Sequence, residues 1–213
     1  SSSRSIRLAR IHTALSVSDS IRALVALGNP GADHASDRHN VGFWLADRLA
    51  ERWRLSFSPE RKFKGELARY GSGDASVWLL KPTTFMNRSG DAAQPLCAFH
   101  KIPPESVLVV HDELDLPAGT ARFKQSGGHG GHNGLRDITR VIGTQYKRLR
   151  IGIGHPGDRS LVLSYVLGTP SSDDRIAIDN AIDAGIDAFE LALDKGWDHG
   201  AQRLNSRKAP ASD

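Results

Sequence analysis

The 213-residue sequence predicts a single α/β domain in which a twisted, mixed β-sheet is flanked by α-helices. Short apolar segments rich in β-branched residues alternate with segments of helical periodicity, a pattern typical of parallel strands joined by helices. Residues 66–70 and 76–80 flank a Gly-Ser-Gly-Asp turn, which predicts an antiparallel hairpin within the same sheet. The length accommodates one hydrophobic core, and neither a repeat nor a linker divides the chain.

The first half of the chain is predicted to form a strand, a helix, the hairpin and a second helix. The strand covers residues 21–27 and ends at a Gly-Asn-Pro-Gly turn signal. Apolar residues follow at helical spacing over residues 41–53, and Asn40 is placed to cap this helix. Residues 81–84 are predicted to be a loop before a helix over about residues 89–99, which ends ahead of a Pro-Pro pair.

The second half is predicted to add two buried strands and two helices. The β-branched residues 107–110 form the first of these strands, and residues 148–153 form the second. A helix is predicted between them at residues 135–142. The last helix begins after Ser171 and carries an apolar stripe beside a row of acids, which is predicted to be a solvated face.

Both ends of the chain are predicted to lie outside the folded domain, which covers residues 21–205. Residues 1–20 contain seven serines and three arginines but only one acid. This composition resembles a transit peptide and equally fits another kind of N-terminal extension. The extension is predicted to be disordered, and residues 206–213 are predicted to be a tail.

Composition restricts the class of protein. No apolar run approaches the roughly 20 residues that cross a membrane. The single cysteine, Cys97, excludes an internal disulfide and indicates a reducing compartment, so a cytoplasmic location is predicted. Eight acids and two bases give residues 173–198 a net charge of −6; because the whole chain carries +4, the remainder carries +10. A basic body suggests a polyanionic partner such as nucleic acid, although scattered surface cations give the same total.

Polar residues and glycines follow the strand predicted at residues 107–110. A His-Asp-Glu sequence at residues 111–113 comes directly after it, where charged groups are not expected in a core. Residues 126–134 then contain five glycines, two histidines and an asparagine, and glycines let a backbone approach a ligand closely. Ligands of open α/β sheets bind beyond the carboxyl ends of strands, so the functional site is predicted here.

Three familiar motifs are weak or absent. Residues 152–157 match G-x-G-x-x-G, but the third glycine does not open a helix, which argues against nucleotide binding. His129 and His132 lack the spacing of a helical metal site, and no cysteine cluster accompanies them, so no metal site is predicted. No G-x-S-x-G sequence is present to supply a nucleophilic serine.

Polar residues at the ends of several predicted elements offer a different chemistry. They are Asn29, His39, Asn87, Asp112 and Asn133. Each alone is more often a turn former or a cap. If the fold brings them together, a histidine oriented by a carboxylate can act as a general base on water, and asparagine amides can hold a carbonyl oxygen or a ribose hydroxyl. Such a site fits hydrolysis of an acyl bond without a metal or a covalent nucleophile.

Five sequence blocks, taken in order, resemble those of the bacterial-type peptidyl-tRNA hydrolase family. They are Gly28-Asn29-Pro30-Gly31 with Arg38-His39-Asn40, residues 81–87 (KPTTFMN), residues 111–117 (HDELDLP), residues 127–134 and residues 148–157 (RLRIGIGHPG). The resemblance covers about residues 21–203, and the five blocks together are far more specific than any one of them.

The resemblance implies hydrolysis of the ester that joins a peptide, or an N-blocked amino acid, to the 3′-terminal ribose of tRNA. It also implies a monomer that needs no metal or other cofactor, does not associate with a membrane and has no obligate protein partner. By this resemblance His39 is the base and Asp112 is its partner. The substrate-binding positions are Asn29, Met86, Asn87, His132 and Asn133, and the pair that grips the tRNA 5′-phosphate is Lys124 and Arg150.

The sequence departs from the family pattern at two places. His34 stands where the family usually has a tyrosine, so an aromatic contact near the 3′ end of the substrate is not carried over. Residues 143–147 also form a shorter segment than in some relatives. Relatives of this fold can serve as RNA-binding factors without hydrolysis, but the presence of both His39 and Asp112 favours an enzyme.

Overall fold

A seven-stranded mixed sheet forms the centre of the domain. The computed structural model describes residues 20–208, so the predictions for residues 1–19 and 209–213 fall outside the described residues. The strands are β1 (Ala23–Ala26), β2 (Ser58–Glu60), β3 (Gly65–Tyr70), β4 (Val77–Pro82), β5 (Val107–Glu113), β6 (Ala121–Gln125) and β7 (Lys147–Gly152). Their order is β2-β3-β4-β1-β5-β7-β6. The four inner strands β4, β1, β5 and β7 are parallel, whereas the outer strands run antiparallel to their neighbours.

Helices cover both faces of this sheet, as predicted. They are α1 (Val41–Trp53), α2 (Gly90–His100), α3 (Asn133–Ile142), α4 (Val162–Val166), α5 (Ser172–Lys195) and α6 (Trp197–Asn205). Leu24 of β1 packs toward the face of α1, α5 and α6, and its neighbour Val25 packs toward α2 and α3. Because both faces are buried, the central strands are continuous apolar runs. Within the described part of the chain, no helix has both the length and the apolar character needed to span a membrane.

Several local predictions are confirmed. Strands β3 and β4 form the predicted hairpin, with Gly65 opposite Pro82 and Tyr70 opposite Val77. The Ser171 side chain caps α5 by accepting a hydrogen bond from the backbone N–H of Asp174, at 3.2 Å. A hydroxyl at this position satisfies one of the N–H groups that the first turn of a helix leaves unpaired.

Other local predictions are wrong in their boundaries. β5 does not end at residue 110 but continues to Glu113, because His111 and Asp112 still pair with residues of β7. Residues 81 and 82, predicted as a loop, belong to β4. The short edge strands β2 and β6 and the helices α4 and α6 were not predicted. Edge strands of three to five residues carry too short an alternation to be distinguished from loops.

The acidic row of α5 was predicted to face solvent, but much of it faces α1. Arg52 Nη1 lies 2.7 Å from Asp187 Oδ1, and Arg48 Nη1 lies 3.1 Å from Asp183 Oδ1. Both aspartate side chains remain half exposed, so each pair contributes less than about 1 kcal/mol. These contacts fix the alignment of the two helices more than they stabilise the fold.

The topology brings four connecting segments together beyond the carboxyl ends of the four parallel strands. Three of them are the loop after β1, the turn before α1 and the turn at Met86–Arg88. The fourth segment is the glycine loop, defined as residues 126–132. It starts at the other end of the sheet, beside the beginning of β7, because β6 runs antiparallel to β7. It then returns to the carboxyl ends of the parallel strands, where His132 precedes α3 and bonds to Asp112.

Candidate active site

Asp112, near the end of β5, bonds to two imidazoles. Its Oδ2 lies 2.7 Å from His39 Nδ1, and its Oδ1 lies 2.7 Å from His132 Nε2. His39 comes from the turn before α1, and His132 immediately precedes α3. Only 2% of the Asp112 side chain is exposed, compared with 12% for His39 and 11% for His132. The fold therefore brings together the two residues predicted to be catalytic and adds His132 to them.

The backbone of α3 fixes the proton positions in this group. His132 Nδ1 accepts hydrogen bonds from the backbone N–H groups of Gly134 and Leu135, at 3.1 and 3.2 Å. A nitrogen that accepts carries no proton, so the proton of His132 is on Nε2 and is donated to Asp112. The other carboxylate oxygen then accepts from His39 Nδ1, which leaves His39 Nε2 as a free base.

The surroundings shift the pKa of both members of the pair. Burial lowers the pKa of His39, but the charge and hydrogen bond of Asp112 and the charge of Asp37 raise it by more, so the net shift is upward. For Asp112, burial raises the pKa, while the two imidazoles lower it by more, to well below its usual range. Asp112 is therefore an anion at neutral pH, and His39 holds a proton more firmly than an isolated imidazole does.

His111 lies next to Asp112 but takes no part in this pair. It is buried within β5, and its Nδ1 donates to the backbone carbonyl of Asp112, at 2.9 Å. Its Nε2 has no hydrogen-bond partner in the described part of the chain. Burial, together with the nearby His132, lowers the pKa of His111 to about 3, so the ring stays neutral.

Asn29 is held in place by Asn40. The backbone N–H of Asn29 donates to Asn40 Oδ1, and Asn40 Nδ2 donates to the backbone carbonyl of Asn29, both at 2.9 Å. The prediction that Asn40 caps α1 is therefore wrong, because its side chain is used eleven residues earlier. Asn29 Oδ1 in turn accepts from the backbone N–H of Met86, at 2.7 Å. The Nδ2 group of Asn29 remains to donate to a ligand.

The other predicted substrate residues surround this centre. Met86 is buried, and its sulfur sits so close to Gly134 that a Cβ there would lie 2.5 Å from it. Glycine at this position thus lets Met86 pack beside His132. Asn87 and Asn133 are exposed, and neither side chain forms a hydrogen bond with another described residue. Their amides are free to contact a ligand.

Lys124 and Arg150 lie on one face of the β6–β7 pair. Lys124 is directly opposite Arg148, and Arg150 is directly opposite Arg122. Partners across an antiparallel pair share a face, and so do alternate residues along a strand, so all four cations are on the same side. Arg150 lies 3.9 Å from Glu113, whereas Lys124 is exposed. The predicted phosphate pair is therefore close together on one face, with a single residue pair, Phe123 and Leu149, between the two positions.

Arg148 lies beneath the glycine loop, a role that the sequence did not reveal. Its Nη1 donates to the carbonyl of Gly128, at 3.0 Å, and its Nη2 to the carbonyl of Ser126, at 3.3 Å. It is buried, and none of the described carboxylates lies at ion-pair distance from it. The Arg-Leu-Arg alternation in β7, which puts it on the same face as Arg150, was the available signal.

The central group also has the composition of a metal site. His39, Asp112 and His132 each offer one ligand atom, and these atoms lie within 4.8 Å of one another. However, the ring nitrogens that face Asp112 already carry the protons of two short hydrogen bonds, which a metal would have to displace. His129 does not join them, since its Nδ1 accepts from the backbone N–H of Gly131. The donor set is thus arranged for proton transfer and fits a metal poorly.

A histidine oriented by a carboxylate, with a free ring nitrogen and exposed amides nearby, is the arrangement of hydrolases that activate water with a general base. Comparison with known proteins identifies the family. The family model described as peptidyl-tRNA hydrolase matches residues 23–212. The chain therefore belongs to the peptidyl-tRNA hydrolase family.

Individual relatives agree over nearly their whole length. The peptidyl-tRNA hydrolase of Neisseria meningitidis serogroup C is 52% identical over 90% of this chain and 100% of its own. That of Haemophilus influenzae strain 86-028NP is 53% identical over 88% of this chain and 98% of its own. A crystal structure of the peptidyl-tRNA hydrolase from Acinetobacter baumannii matches with a TM-score of 0.84 at 43% identity, covering 88% of this chain and 96% of that chain.

Proposed function

We propose that this protein hydrolyses the ester between a peptide, or an N-blocked amino acid, and the 3′-terminal ribose of tRNA. This reaction recycles tRNA from prematurely released peptidyl-tRNA. Membership of the peptidyl-tRNA hydrolase family supports the substrate. The observation that carries the chemistry is the 2.7 Å hydrogen bond between His39 Nδ1 and Asp112, which leaves His39 Nε2 free to act as a base.

In the proposed reaction, His39 Nε2 removes a proton from a water molecule whose oxygen attacks the carbonyl carbon of the ester. Asp112 stabilises the imidazolium that forms and keeps the ring in its orientation. Amide groups of Asn29, Asn87 and Asn133 order the substrate and water and stabilise the negative carbonyl oxygen. The bond between the carbonyl carbon and the ribose oxygen then breaks, and His39 returns the proton to that oxygen. The products are a free carboxylic acid and a tRNA with a 3′-hydroxyl.

We assign the remaining predicted residues to substrate binding. Met86 and His132 line the cleft beside the reacting ester, and Lys124 with Arg150 binds the 5′-phosphate of the tRNA. Arg150 suits this role because its planar guanidinium offers two parallel donors, while Lys124 adds a point charge. The exposed position of Lys124 and its shared face with Arg150 support this assignment.

The proposed reaction needs neither a metal nor an organic cofactor, because water, the base and the amides complete the chemistry. We further propose that the folded domain at residues 21–205 works as a monomer without an obligate protein partner, in the cytoplasm where peptidyl-tRNA is formed. Activity should persist in the presence of a chelator. Loss of activity that Zn²⁺ restores would show that the His39, Asp112 and His132 group binds a metal after all.

The test of the proposed function is an assay of ester cleavage on N-acetyl-aminoacyl-tRNA, with release of both products measured. His39→Ala should lower the rate roughly 10²–10⁴-fold, the usual contribution of a positioned general base. The variant should stay folded, with the far-UV circular dichroism of the wild type, although its melting temperature should decrease because buried Asp112 loses one of its two imidazole partners. Tight binding of the substrate by the wild type without turnover would instead identify an RNA-binding factor.

A further inference from the structure

A pocket of about 240 Å³ opens beside Asn29, and the other residues that line it have no role in the proposed reaction. Its walls come from the start of α1, which supplies Phe43 and Trp44, and from the end of β4, which supplies Lys81 and Pro82. Asn29 and Asn40 form the side nearest to His39. We call it the Trp44 pocket.

In the strand order, this pocket and the proposed phosphate pair lie on opposite sides of Asp112. In the order β2-β3-β4-β1-β5-β7-β6, the proposed phosphate pair is on β6 and β7, and Asp112 is on β5. The pocket is formed around the ends of β1 and β4 and the beginning of β3, on the far side of Asp112 from those cations. The reacting ester has RNA on one side and peptide on the other. If the tRNA lies over β6 and β7, a peptide that continues away from it passes over the carboxyl ends of β1 and β4 and reaches this pocket on the α1 face of the sheet.

The chemistry of the pocket selects among peptide side chains. Lys81 Nζ lies 2.6 Å from Asp47 Oδ1 and 3.2 Å from Glu66 Oε2, so two carboxylates surround one ammonium. Lys81 is only 14% exposed, whereas Asp47 and Glu66 are 57% and 40% exposed. Among the charged residues that line the pocket, the more exposed ones are therefore negative, and the walls beside them are aromatic; Arg175 stacks on the Trp44 ring, 3.7 Å from its centroid. Long cationic side chains suit such a site because an apolar stem carries their charge.

We propose that the Trp44 pocket binds a side chain of the peptide close to the ester, and that it favours lysine or arginine over acidic residues. This inference rests on the proposed function and extends it from the ester to the peptide. It makes Asp47, Glu66 and Lys81 specificity-determining residues of the enzyme.

The experiment uses one tRNA body acylated with N-acetyl dipeptides, in which arginine, methionine or glutamate occupies either the last or the preceding position and glycine the other. N-acetyl-diglycyl-tRNA is the reference substrate. At one of the two positions, KM for arginine should be roughly three- to tenfold lower than KM for glutamate, the range expected of partly exposed charges. The value of kcat should differ little, because the charge interaction is the same in the ground and transition states.

Two variants should move this preference in opposite directions. Asp47→Asn with Glu66→Gln leaves the Lys81 ammonium unpaired, so the ratio of the two KM values should reverse in favour of glutamate. Lys81→Met leaves both carboxylates without a cation, so the preference for arginine should increase. Asp74→Asn, which removes an exposed acid in the turn of the β3–β4 hairpin, is the matched control and should leave the ratio unchanged.

The outcomes separate this inference from the proposed function. If the wild type fails to hydrolyse the reference substrate, the proposed function is wrong. If it hydrolyses the reference but shows no charge preference at either position, the pocket does not bind the peptide. A preference that survives unchanged in the double variant would also overturn the inference.

Discussion

Two carboxylates raise the pKa of His39, Asp112 through contact and Asp37 through charge alone. Asp37 is buried, and its Oδ2 lies 2.7 Å from His34 Nδ1. By the sequence resemblance a tyrosine is expected at position 34, and the histidine found there pairs with Asp37. The Asp37 charge that helps to raise the pKa of His39 is therefore paired with His34, a residue at which the sequence departs from the family pattern.

Asp37→Asn should shift the acid limb of the pH–rate profile to lower pH. A general base must be unprotonated, so activity rises as pH increases through the raised pKa of His39. Removing the Asp37 charge removes one cause of that increase, while Asp112 remains. The measurement is kcat/KM against pH for N-acetyl-aminoacyl-tRNA. His34→Gln, which keeps the Asp37 charge, should not show this downward shift, and an unchanged limb in Asp37→Asn would refute the coupling.

At the scale of elements, the glycine loop depends on β7 for its position. Arg148 holds two loop carbonyls, and the loop leads to His132, which bonds to Asp112. Positive φ angles occur at four of its residues: Ser126, Gly127, Gly130 and Gly131. The loop forms neither a helix nor a strand, so its position depends on contacts with other elements. Arg148 is thus a positioning residue that acts on the site through this loop.

Arg148→Met should lower kcat by roughly ten- to a hundredfold on both full-length and short substrates, since misplacement of the loop displaces His132. Hydrogen exchange of the loop amides should accelerate at the same time, an effect that distinguishes loop release from a weakened interaction with tRNA. Arg136→Met, an exposed position on α3, is the matched control. Normal kcat with slow loop exchange in Arg148→Met would contradict this role.

The shared face of β6 and β7 leads to a separate prediction about tRNA binding. Replacing Lys124 and Arg150 by alanine should weaken binding and reduce its salt dependence, by about 0.7–0.9 in the log–log slope for each phosphate that is no longer neutralised. Cleavage of a short peptidyl-nucleotide ester should survive, because His39 and Asp112 are untouched. Wild type should lose affinity for tRNA that lacks its 5′-phosphate, while the double variant should hardly distinguish the two. Equal binding of both tRNAs by the wild type would exclude the phosphate role.

At the scale of the whole molecule, the sequence predicts the architecture better than the contacts within it. Alternating elements and the continuous apolar runs of β1 and β5 predict a mostly parallel sheet buried on both faces, which the structure has. These features can be predicted because burial on both faces requires apolar residues along each strand, and such runs are visible in the sequence of that strand alone. Strand β6 was missed because it is a short edge strand with one exposed face.

In the site, too, the sequence identifies individual residues better than it predicts their contacts with distant parts of the chain. His39 and Asp112 are identified by their sequence blocks, although the residues are 73 positions apart and only the fold joins them. Asn40 was misassigned because helix capping is a local rule, whereas its actual partner is Asn29. Arg148 resembles any other basic residue until the glycine loop folds back over it, 20 residues away in sequence.

The extent of the domain is a further prediction at this scale. Deleting residues 1–18 should change neither the melting temperature nor turnover appreciably, because this segment lacks apolar periodicity. Thermal unfolding and the N-acetyl-aminoacyl-tRNA assay on the shortened chain measure both effects. A large decrease in either would show that the N-terminal segment contributes to the folded enzyme.

The central claim, that His39 held by Asp112 is the general base, is tested most directly by titrating His39 and the reaction together. The His39 ring resonance, assigned by its absence in His39→Gln, gives the pKa of the imidazole, and the acid limb of kcat/KM gives the pKa of the catalytic base. Both should lie at the same value, above that of an ordinary histidine. In Asp112→Asn both pKa values should move to lower pH, because burial lowers the pKa of His39 and the Asp112 charge no longer offsets that effect. The plateau rate should fall by up to roughly 10⁴-fold. A kinetic pKa that differs from that of His39, or an Asp112→Asn variant with full activity, would contradict the claim.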